Sequence, residues 1–161
     1  MNRQKPALFN VVLYEPEIPQ NTGNIGRLCV AASCRLHLAG KLGFSLTEKA
    51  LRRAGLDYWP HLDLSIHETF DEISLVVPRE NMYFFSRRGT GFLYDIRFKT
   101  GDYLVFGCET GGLPDEVIRA FSDRVFRIPM TGDTRSLNLA NAVAVAVYEG
   151  MRQVKGFGRC V

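Results

Sequence analysis

The segment Tyr103-Leu-Val-Phe-Gly107-Cys-Glu-Thr-Gly-Gly112-Leu-Pro114-Asp-Glu-Val-Ile-Arg-Ala-Phe121 contains a strand, a turn and a helix in succession. Its first residues form an unbroken apolar run, which is typical of a strand buried on both faces of a parallel sheet. The glycines that follow allow a tight turn, and Pro114 suits the first turn of a helix that ends near Phe121. A strand that passes through a turn into a helix is the repeating unit of an α/β fold.

The same alternation of strands and helices extends over the rest of the chain. Strands are predicted on both sides of this segment: Leu8–Tyr14, Arg35–Ala39, Tyr83–Phe85 and Val125–Pro129. Helices are predicted by apolar spacing and start signals: Thr22–Ser33, Thr47–Ala54, Phe70–Val77 and Leu139–Val154. We therefore expect a single α/β domain over residues 1–161, in which a parallel sheet has helices on both faces.

The composition excludes several classes of protein. The chain has 161 residues, of which 46% are hydrophobic, and its net charge is only +3. Because this charge is small, any surface that binds nucleic acid must be local. No apolar run approaches the length of a membrane span, and the N-terminal residues lack the pattern of a signal peptide. We therefore expect a cytoplasmic protein that does not insert into membranes.

The cysteines and histidines do not predict a metal site. The four cysteines have no Cys-x-x-Cys spacing and no histidine cluster near them, so neither a zinc site nor a disulfide framework is predicted. His37, His61 and His67 each stand alone in the sequence, and we expect structural or surface roles for them.

The last predicted helix suggests an interface. Leu139-Ala-Asn-Ala-Val-Ala-Val-Ala-Val-Tyr148 is apolar almost all the way around, whereas one sheet face covers only one side of a helix. The alternative is a central helix wholly inside one domain, for which a chain of this size offers little room. We therefore predict a homodimer in which this helix lies at the interface.

Three segments carry polar residues that ordinary turns do not need. In Pro19-Gln-Asn-Thr-Gly-Asn-Ile-Gly-Arg27, predicted as a loop that leads into a helix, Gly23 permits a tight turn and Arg27 lies about one turn inside the helix. An anion site is one reading of this loop, and an ordinary capped turn with a surface arginine is the other.

The other two segments follow the predicted strands Tyr103–Phe106 and Val125–Pro129. The glycines of the first, residues 107–114, would let a ligand approach the backbone closely, although the Gly-Lys-Ser/Thr of a nucleoside-triphosphate loop is missing. In the second, residues 128–142, either Ser136 or Asn138 could cap the following helix. Capping does not explain both side chains together with Arg135, so a site is predicted there.

Taken together, the three segments resemble the three motifs of the SPOUT class of methyltransferases. The matching patterns are Asn21-x-Gly-Asn24-x-x-Arg27, Leu104-x-Phe-Gly107-x-Glu109-x-x-Gly112-Leu-Pro114, and Ile128-Pro-Met130 followed by Ser136-Leu-Asn138-Leu-x-Asn141-Ala. Within that class the chain is similar to the small, single-domain tRNA (cytidine/uridine-34) 2′-O-methyltransferases. These also share Val12-Leu-Tyr-Glu-Pro-Glu-Ile-Pro19 and Leu51-Arg-Arg-Ala-Gly-Leu-Asp-Tyr58.

The resemblance implies a fold, a reaction and a set of site residues. The C-terminal part would be threaded into a trefoil knot that binds S-adenosylmethionine, and the methyl group would pass to the ribose 2′-OH of nucleotide 34 in the tRNA anticodon loop. The implied cofactor-binding residues are Phe85, Gly107, Glu109, Gly112, Ile128, Met130, Ser136 and Leu137. The implied catalytic residues are Arg27, Ser136 and Asn138, and the implied RNA-binding residues are Asn21, Asn24, Arg27 and Arg135. The dimer would place Arg27 of one subunit near the cofactor of the other.

Arg27 is expected to act as a clamp and not as a base, because a guanidinium keeps its proton to above pH ~12. Three other functions stay open. These are 2′-O-methylation of another tRNA or rRNA position, an inactive RNA-binding or ribosome-assembly module, and a nucleotide-dependent oxidoreductase. The last is the weakest, because the Gly-x-Gly-x-x-Gly pattern is missing.

Overall fold

The computed structural model describes residues 7–45 and 58–156 of the chain. Within these residues, seven strands form one parallel sheet in the order β3-β2-β1-β6-β4-β7-β5. The strands are β1 Asn10–Tyr14, β2 Arg35–Ala39, β3 Leu64–His67, β4 Met82–Phe85, β5 Gly91–Phe92, β6 Tyr103–Phe106 and β7 Val125–Arg127. The predicted parallel sheet is thus confirmed, and the prediction of a single domain over the whole chain stays a prediction.

Helices lie on both faces of this sheet, as predicted. They are α1 Pro19–Ala32, α2 Asp71–Ser74, α3 Asp115–Ala120 and α4 Leu139–Lys155. One buried cluster joins α1 and α4 to one face of the sheet, and a second joins the region of α2 and α3 to the other face. Consecutive residues of a strand therefore enter different clusters. Val11 and Leu13 pack with α1 and α4, while Val12 between them packs on the opposite side.

Several predicted boundaries are wrong. The predicted helix Thr22–Ser33 begins three residues earlier, at Pro19, and the predicted helix Phe70–Val77 is reduced to Asp71–Ser74. The edge strands β3 and β5 were not predicted, because strands this short carry almost no periodic signal. The predicted helix Thr47–Ala54 lies outside the described residues.

The last helix is buried on one side only. In α4, Val143, Ala146 and Val147 are completely buried against the sheet, whereas 37% of Val145 and 55% of Tyr148 are exposed. The alternative of a helix wholly inside the domain is therefore wrong. None of the helices in residues 7–45 and 58–156 has the length and apolar character needed to cross a bilayer.

His37 and His67, which stand thirty residues apart in the sequence, form a pair in the structure. The Nδ1 of His37 and the Nε2 of His67 are 2.9 Å apart, and the two rings stack with their centroids at 5.2 Å. Asn10 donates from Nδ2 to the carbonyl of Gly101 at 2.8 Å, so its Oδ1 accepts from Nε2 of His37 at 3.1 Å. The neutral form of His37 therefore carries its proton on Nε2. Its Nδ1 accepts a hydrogen bond from the Nε2–H group of His67. In the described part of the chain, no three His, Cys, Asp or Glu side chains cluster as metal ligands would.

This pair predicts a pH dependence of stability. Burial first, and then the neighbouring charge of His67, lower the pKa of His37 from 6.5 to about 4. The unfolded chain therefore binds the proton more readily than the folded chain, so the stability that His37 contributes is complete above pH 6.5 and is lost as the pH falls toward 4. The full shift corresponds to about 3 kcal/mol in the free energy of unfolding.

Urea unfolding at several pH values from 4.5 to 7.5 would measure this dependence. We expect His37→Gln to be less stable than the wild type at pH 7.5 and to approach it at acid pH. A constant difference between the two proteins across this range would contradict the assignment.

Candidate active site

A cavity of about 740 Å³ opens at the carboxyl edge of the sheet, where the segments that follow β4, β6 and β7 meet. Every residue predicted to bind the cofactor lines it: Phe85, Gly107, Glu109, Gly112, Ile128, Met130, Ser136 and Leu137. Of the residues predicted for catalysis and RNA binding, Asn21, Arg135 and Asn138 also line the cavity. Ser86 and Arg87 line it as well. Their position directly after β4 places them at this edge.

The wall of the cavity contains a tight backbone crossing. The N–H of Gly112 donates to the carbonyl of Cys108 at 3.0 Å, and Gly112 has a φ of +69°, which glycine adopts without strain. A Cβ on Gly107 would lie 2.0 Å from the carbonyl carbon of Gly112. Below the crossing, the rings of Phe85 and Phe106 stack with their centroids 4.8 Å apart. The glycines therefore let two stretches of backbone touch and leave main-chain groups at the cavity wall.

A chain of side-chain hydrogen bonds ties the three predicted segments together. Asn138 donates from Nδ2 to Oδ1 of Asn21 at 3.0 Å, and Asn21 donates from Nδ2 to Oε1 of Glu109 at 2.9 Å. Asn138 also caps α4, because its Oδ1 accepts from the backbone N–H of Ala140 at 2.9 Å. The side chains of Asn21 and Asn138 thus hold the cavity together. The hydroxyl of Ser136, by contrast, makes no hydrogen bond within the described residues and lies at the cavity wall.

Glu109 explains why α1 begins at Pro19, three residues before the predicted start at Thr22. Its carboxylate accepts from the backbone N–H of Glu17 at 2.8 Å and of Ile18 at 3.1 Å, directly before α1 begins. A carboxylate at this position satisfies amides that have no partner in the helix and interacts favourably with the helix dipole. Gly23 is consequently buried inside the helix and forms no turn. The predicted start is wrong because the carboxylate that supports this end of the helix is about ninety positions away in sequence.

The Glu109 carboxylate predicts a stability effect. Although partial burial alone would raise the pKa of this carboxyl, the hydrogen bonds from Asn21, Glu17 and Ile18 bring it below its usual value of 4.5. Its contribution to stability is therefore present above pH 4.5 and is lost as the pH falls through the folded-state pKa. Glu109→Gln puts an amide where the carboxylate accepts backbone N–H groups, and we expect it to lower the free energy of unfolding at pH 7 by about 1–2 kcal/mol.

Urea unfolding would measure this difference, with Glu116→Gln as a matched control. Glu116 is an exposed carboxylate on α3, and its replacement changes the charge equally. If both variants had the same stability, the bonds to Glu109 would not support α1.

Arg27 and Asn24 do not line this cavity. Asn24 was predicted to bind RNA, whereas Arg27 was predicted to lie near the cofactor of the other subunit. Both side chains are exposed on α1. Arg27 was predicted about one turn inside the helix, but the early start of α1 places it two turns in, roughly 12 Å from Pro19 along the axis. Its guanidinium lies over the ring of Tyr58, 5.0 Å from the centroid, and the hydroxyl of Tyr58 donates to the carbonyl of Gly23. Arg27 is therefore held on the outer surface of α1.

Arginines surround the mouth of the cavity. Arg87 and Arg135 line it and are exposed. Arg88 closes one side, because its guanidinium donates to the carboxylate of Asp115 at 2.7 Å and to the carbonyl of Leu113 at 3.2 Å. The lining thus has three arginines against two carboxylates, of which Asp115 pairs with Arg88, and part of the wall is apolar. Such a cavity suits a ligand with a buried organic part and an anion outside it.

The sequence of the chain matches a known protein family over most of its length. The match to the SpoU rRNA Methylase family covers residues 8–148. The chain belongs to this family. All of β1–β7 and the described cavity lie within the matched residues.

Curated relatives of this SpoU-family chain match it almost end to end. It is 49% identical over 148 residues to a tRNA (cytidine(34)-2′-O)-methyltransferase of Saccharophagus degradans, with 91% of this chain and 96% of the relative covered. It is 46% identical over 149 residues to the protein of the same name from Burkholderia cenocepacia, with 91% and 96% covered.

Solved structures agree with this assignment. A protein whose structure concerns 2′-OH methylation of C/U34 on tRNA superposes with a TM-score of 0.86 at 50% identity, with 94% of this chain and 99% of that one covered. The SpoU methyltransferase AviRb from Streptomyces viridochromogenes, in complex with the cofactor AdoMet, superposes with a TM-score of 0.78 at 26% identity. There 97% of this chain and 61% of AviRb are covered.

Proposed function

We propose that this SpoU-family protein transfers a methyl group from S-adenosylmethionine to the ribose 2′-OH of nucleotide 34 in the anticodon loop of tRNA. The observation that carries the proposal is the cavity at the carboxyl edge, to which the second and third motif segments and Asn21 of the first contribute. The activities named for the relatives support the substrate and the position. The predicted cytoplasmic location is consistent with a tRNA substrate and stays a prediction.

The residues of the cavity fit the cofactor. Its volume of about 740 Å³ lies within the range of sites for small molecules and cofactors. The backbone around Gly107, Gly112 and Ile128 offers main-chain donors and acceptors, and Met130 and Leu137 offer apolar contact. When bound, S-adenosylmethionine supplies a methyl group on a positively charged sulfur. Ser136, whose hydroxyl has no partner in the described residues, is available to orient the ribose hydroxyl or the cofactor carboxylate.

Arg27 is proposed to hold the ribose. A guanidinium binds a phosphate through two parallel N–H bonds, which would fix the nucleotide and stabilise the negative charge that grows on the 2′-oxygen. It does not remove the hydroxyl proton, which we assign to the neighbouring phosphate or to a water molecule. In the balanced reaction, a bond forms between the 2′-oxygen and the methyl carbon while the bond from that carbon to sulfur breaks.

We also infer a homodimer in which Arg27 of one protomer serves the cavity of its partner. Two observations support it. Arg27 lies on α1 outside its own cavity, and the exposed side of α4 presents Val145 and Tyr148 to the surroundings. An apolar stripe on a helix that is otherwise packed is a feature of subunit interfaces. With the exposed sides of the two α4 helices in contact, each active site would consist of the cavity of one chain and Arg27 of the other.

Light scattering on the purified protein would test the dimer, with Val145→Lys as the disrupting variant. We expect the wild type to have the mass of two chains, and the variant to be monomeric and inactive while it still unfolds cooperatively. A monomeric wild type with full activity would overturn this assembly.

We infer, finally, that the chain after β7 is threaded into a trefoil knot, as in the SPOUT class. In the sheet, β7 lies between β4 and β5, so the connection 86–90 must cross the end of β7. The crossing is close, because a Cβ on Gly89 would lie 2.5 Å from the carbonyl carbon of Phe126. An experimental density map that shows the path of residues 86–138 would test the inference. If the chain after β7 ran beside the connection 86–90 and did not pass through the loop that this connection forms, the knot would be contradicted.

The decisive test of the reaction is to incubate the protein with labelled S-adenosylmethionine and total RNA and to map the methylated ribose. We expect the label at nucleotide 34 of tRNA. Label at another tRNA position or in rRNA would change the substrate and keep the reaction. Absence of label, with or without RNA binding, would overturn the proposed reaction.

A further inference from the structure

The edge strand β5 presents an aromatic ring and an arginine as a stacked pair. Phe92 is opposite Arg127 in the register of β5 and β7, and the Arg127 guanidinium lies 4.4 Å from the centroid of the Phe92 ring. The ring is 38% exposed, a high value for a phenylalanine, and the Arg127 side chain is also exposed. We call Phe92 and Arg127 the edge pair.

The edge pair differs from the arginine stacks formed by Arg124 and Arg79. Arg124, which lies over Tyr83, donates to the carbonyls of Met82 and Glu80, and Arg79 donates to the carbonyl of Ala120 and to a carboxylate. For Arg127, residues 7–45 and 58–156 provide neither a carboxylate within ion-pair distance nor a hydrogen-bond acceptor. Its guanidinium is therefore oriented by the ring while its N–H groups stay open to an anion.

Both residues of the edge pair are only a few positions away in sequence from residues that line the cavity. Arg127 precedes Ile128, a residue of the cavity wall, and consecutive Cα atoms are about 3.8 Å apart. The segment that leads into Phe92 starts with Ser86, Arg87 and Arg88, which line the same cavity. A single-stranded nucleic acid whose ribose entered the cavity would therefore have its neighbouring nucleotides within reach of β5.

We propose that the edge pair is a docking surface for a nucleotide next to the one that is methylated. A base stacks on the pair, and its phosphate binds the open N–H groups of Arg127. Bases of single-stranded RNA stack on aromatic rings and on guanidinium planes without a sequence requirement, which suits an anticodon loop. This inference rests on the proposed function and explains how a chain with a net charge of only +3 holds its RNA.

Two variants separate the parts of the edge pair, and a synthetic anticodon stem–loop is the probe. Phe92→Leu keeps an apolar side chain and removes the ring, and Arg127→Gln keeps a polar side chain and removes the charge. We expect each to weaken RNA binding, measured by fluorescence anisotropy, by about tenfold. The affinity for S-adenosylmethionine, measured by calorimetry without RNA, should stay the same, because neither residue lines the cavity.

Salt dependence and a matched charge variant make the test specific. Arg127→Gln should reduce the slope of log Kd against log salt by about one, while Phe92→Leu should leave it unchanged. Arg119→Gln, which removes another exposed positive charge, on α3, should bind RNA like the wild type. Unchanged RNA affinity in both edge variants would overturn the inference, even if the wild type methylates tRNA.

Two further results would also overturn the edge pair as an RNA surface. One is a change of mass in light scattering for the edge variants, which would identify the surface as a contact between copies of this chain. The other is a wild-type protein that fails to bind the stem–loop. The methylation assay with total RNA, performed on the wild type alone, reports separately on the proposed reaction.

Discussion

Replacement of Gly107 by alanine is expected to remove measurable binding of S-adenosylmethionine and to lower the thermal stability of the protein. The added Cβ would lie 2.0 Å from the carbonyl carbon of Gly112 and 2.2 Å from the amide nitrogen of Leu113. Both are backbone atoms, so no side-chain rotation relieves the overlap, and the crossing that forms the cavity wall must open. Overpacking of this kind costs about 1–3 kcal/mol in stability. Calorimetry with the cofactor and a thermal unfolding scan would measure the two effects.

The same loop offers a matched control. A Cβ on Gly111 would have only the Sγ of Cys108 near it, at 3.4 Å, which is an ordinary contact. Gly111→Ala should therefore unfold like the wild type, and because Gly111 itself lines the cavity, it serves as the control for stability alone. If Gly107→Ala retained wild-type affinity, the crossing of residues 107 and 112 would not shape the cofactor site.

Replacement of Arg27 by lysine is expected to reduce kcat by roughly 10²- to 10³-fold, close to the effect of Arg27→Ala. Lysine is a point charge and cannot make the paired N–H bonds that a phosphate clamp requires. Because the clamp is proposed to hold a phosphate of the RNA and not the cofactor, the affinity for S-adenosylmethionine without RNA should stay unchanged. Single-turnover methylation of tRNA, with the cofactor affinity measured separately, would check both statements.

Mixing of two inactive variants tests whether Arg27 acts on the partner's cavity. Arg27→Ala and Gly107→Ala, unfolded and refolded together, would form heterodimers in which one cavity is intact and faces an intact arginine. We expect part of the activity to return in the mixture. If Arg27→Lys kept near-full turnover, the clamp would be wrong. If the mixture stayed inactive although heterodimers formed, Arg27 would serve its own chain.

The fold class was accessible from the sequence because the central strands have a strong local signature. The apolar runs around Val11, Phe84 and Val105 are buried on both faces, and no other element of this length gives such a run. The sequence did not predict that β6 lies between β1 and β4, or that β5 and β3 form the edges. Strand order depends on which connections cross the sheet. The local pattern of residues within a strand does not indicate which other strands it will pair with.

The site was predictable as three separate segments and not as an arrangement. Glycines and excess polar residues after buried strands indicated the cavity, since parallel strands deliver their carboxyl ends to one edge. The roles within it were less accessible. Asn138 has both ends of its amide engaged in capping α4 and binding Asn21. Ser136 is the predicted catalytic residue of the cavity whose hydroxyl has no partner in the described residues.

The sequence by itself thus determined the α/β class, the membership of the three motif segments in one site, and the residue types that line it. Only the tertiary structure decided that the helix already includes residues 19–21, that Asn24 lies outside the cavity, and that His37 and His67 share a hydrogen bond. The physical reason is the range of the interactions. A buried strand or a glycine turn is encoded within a few residues. The carboxylate of Glu109, in contrast, starts α1 across about ninety positions, and such a bond exists only once the chain has folded.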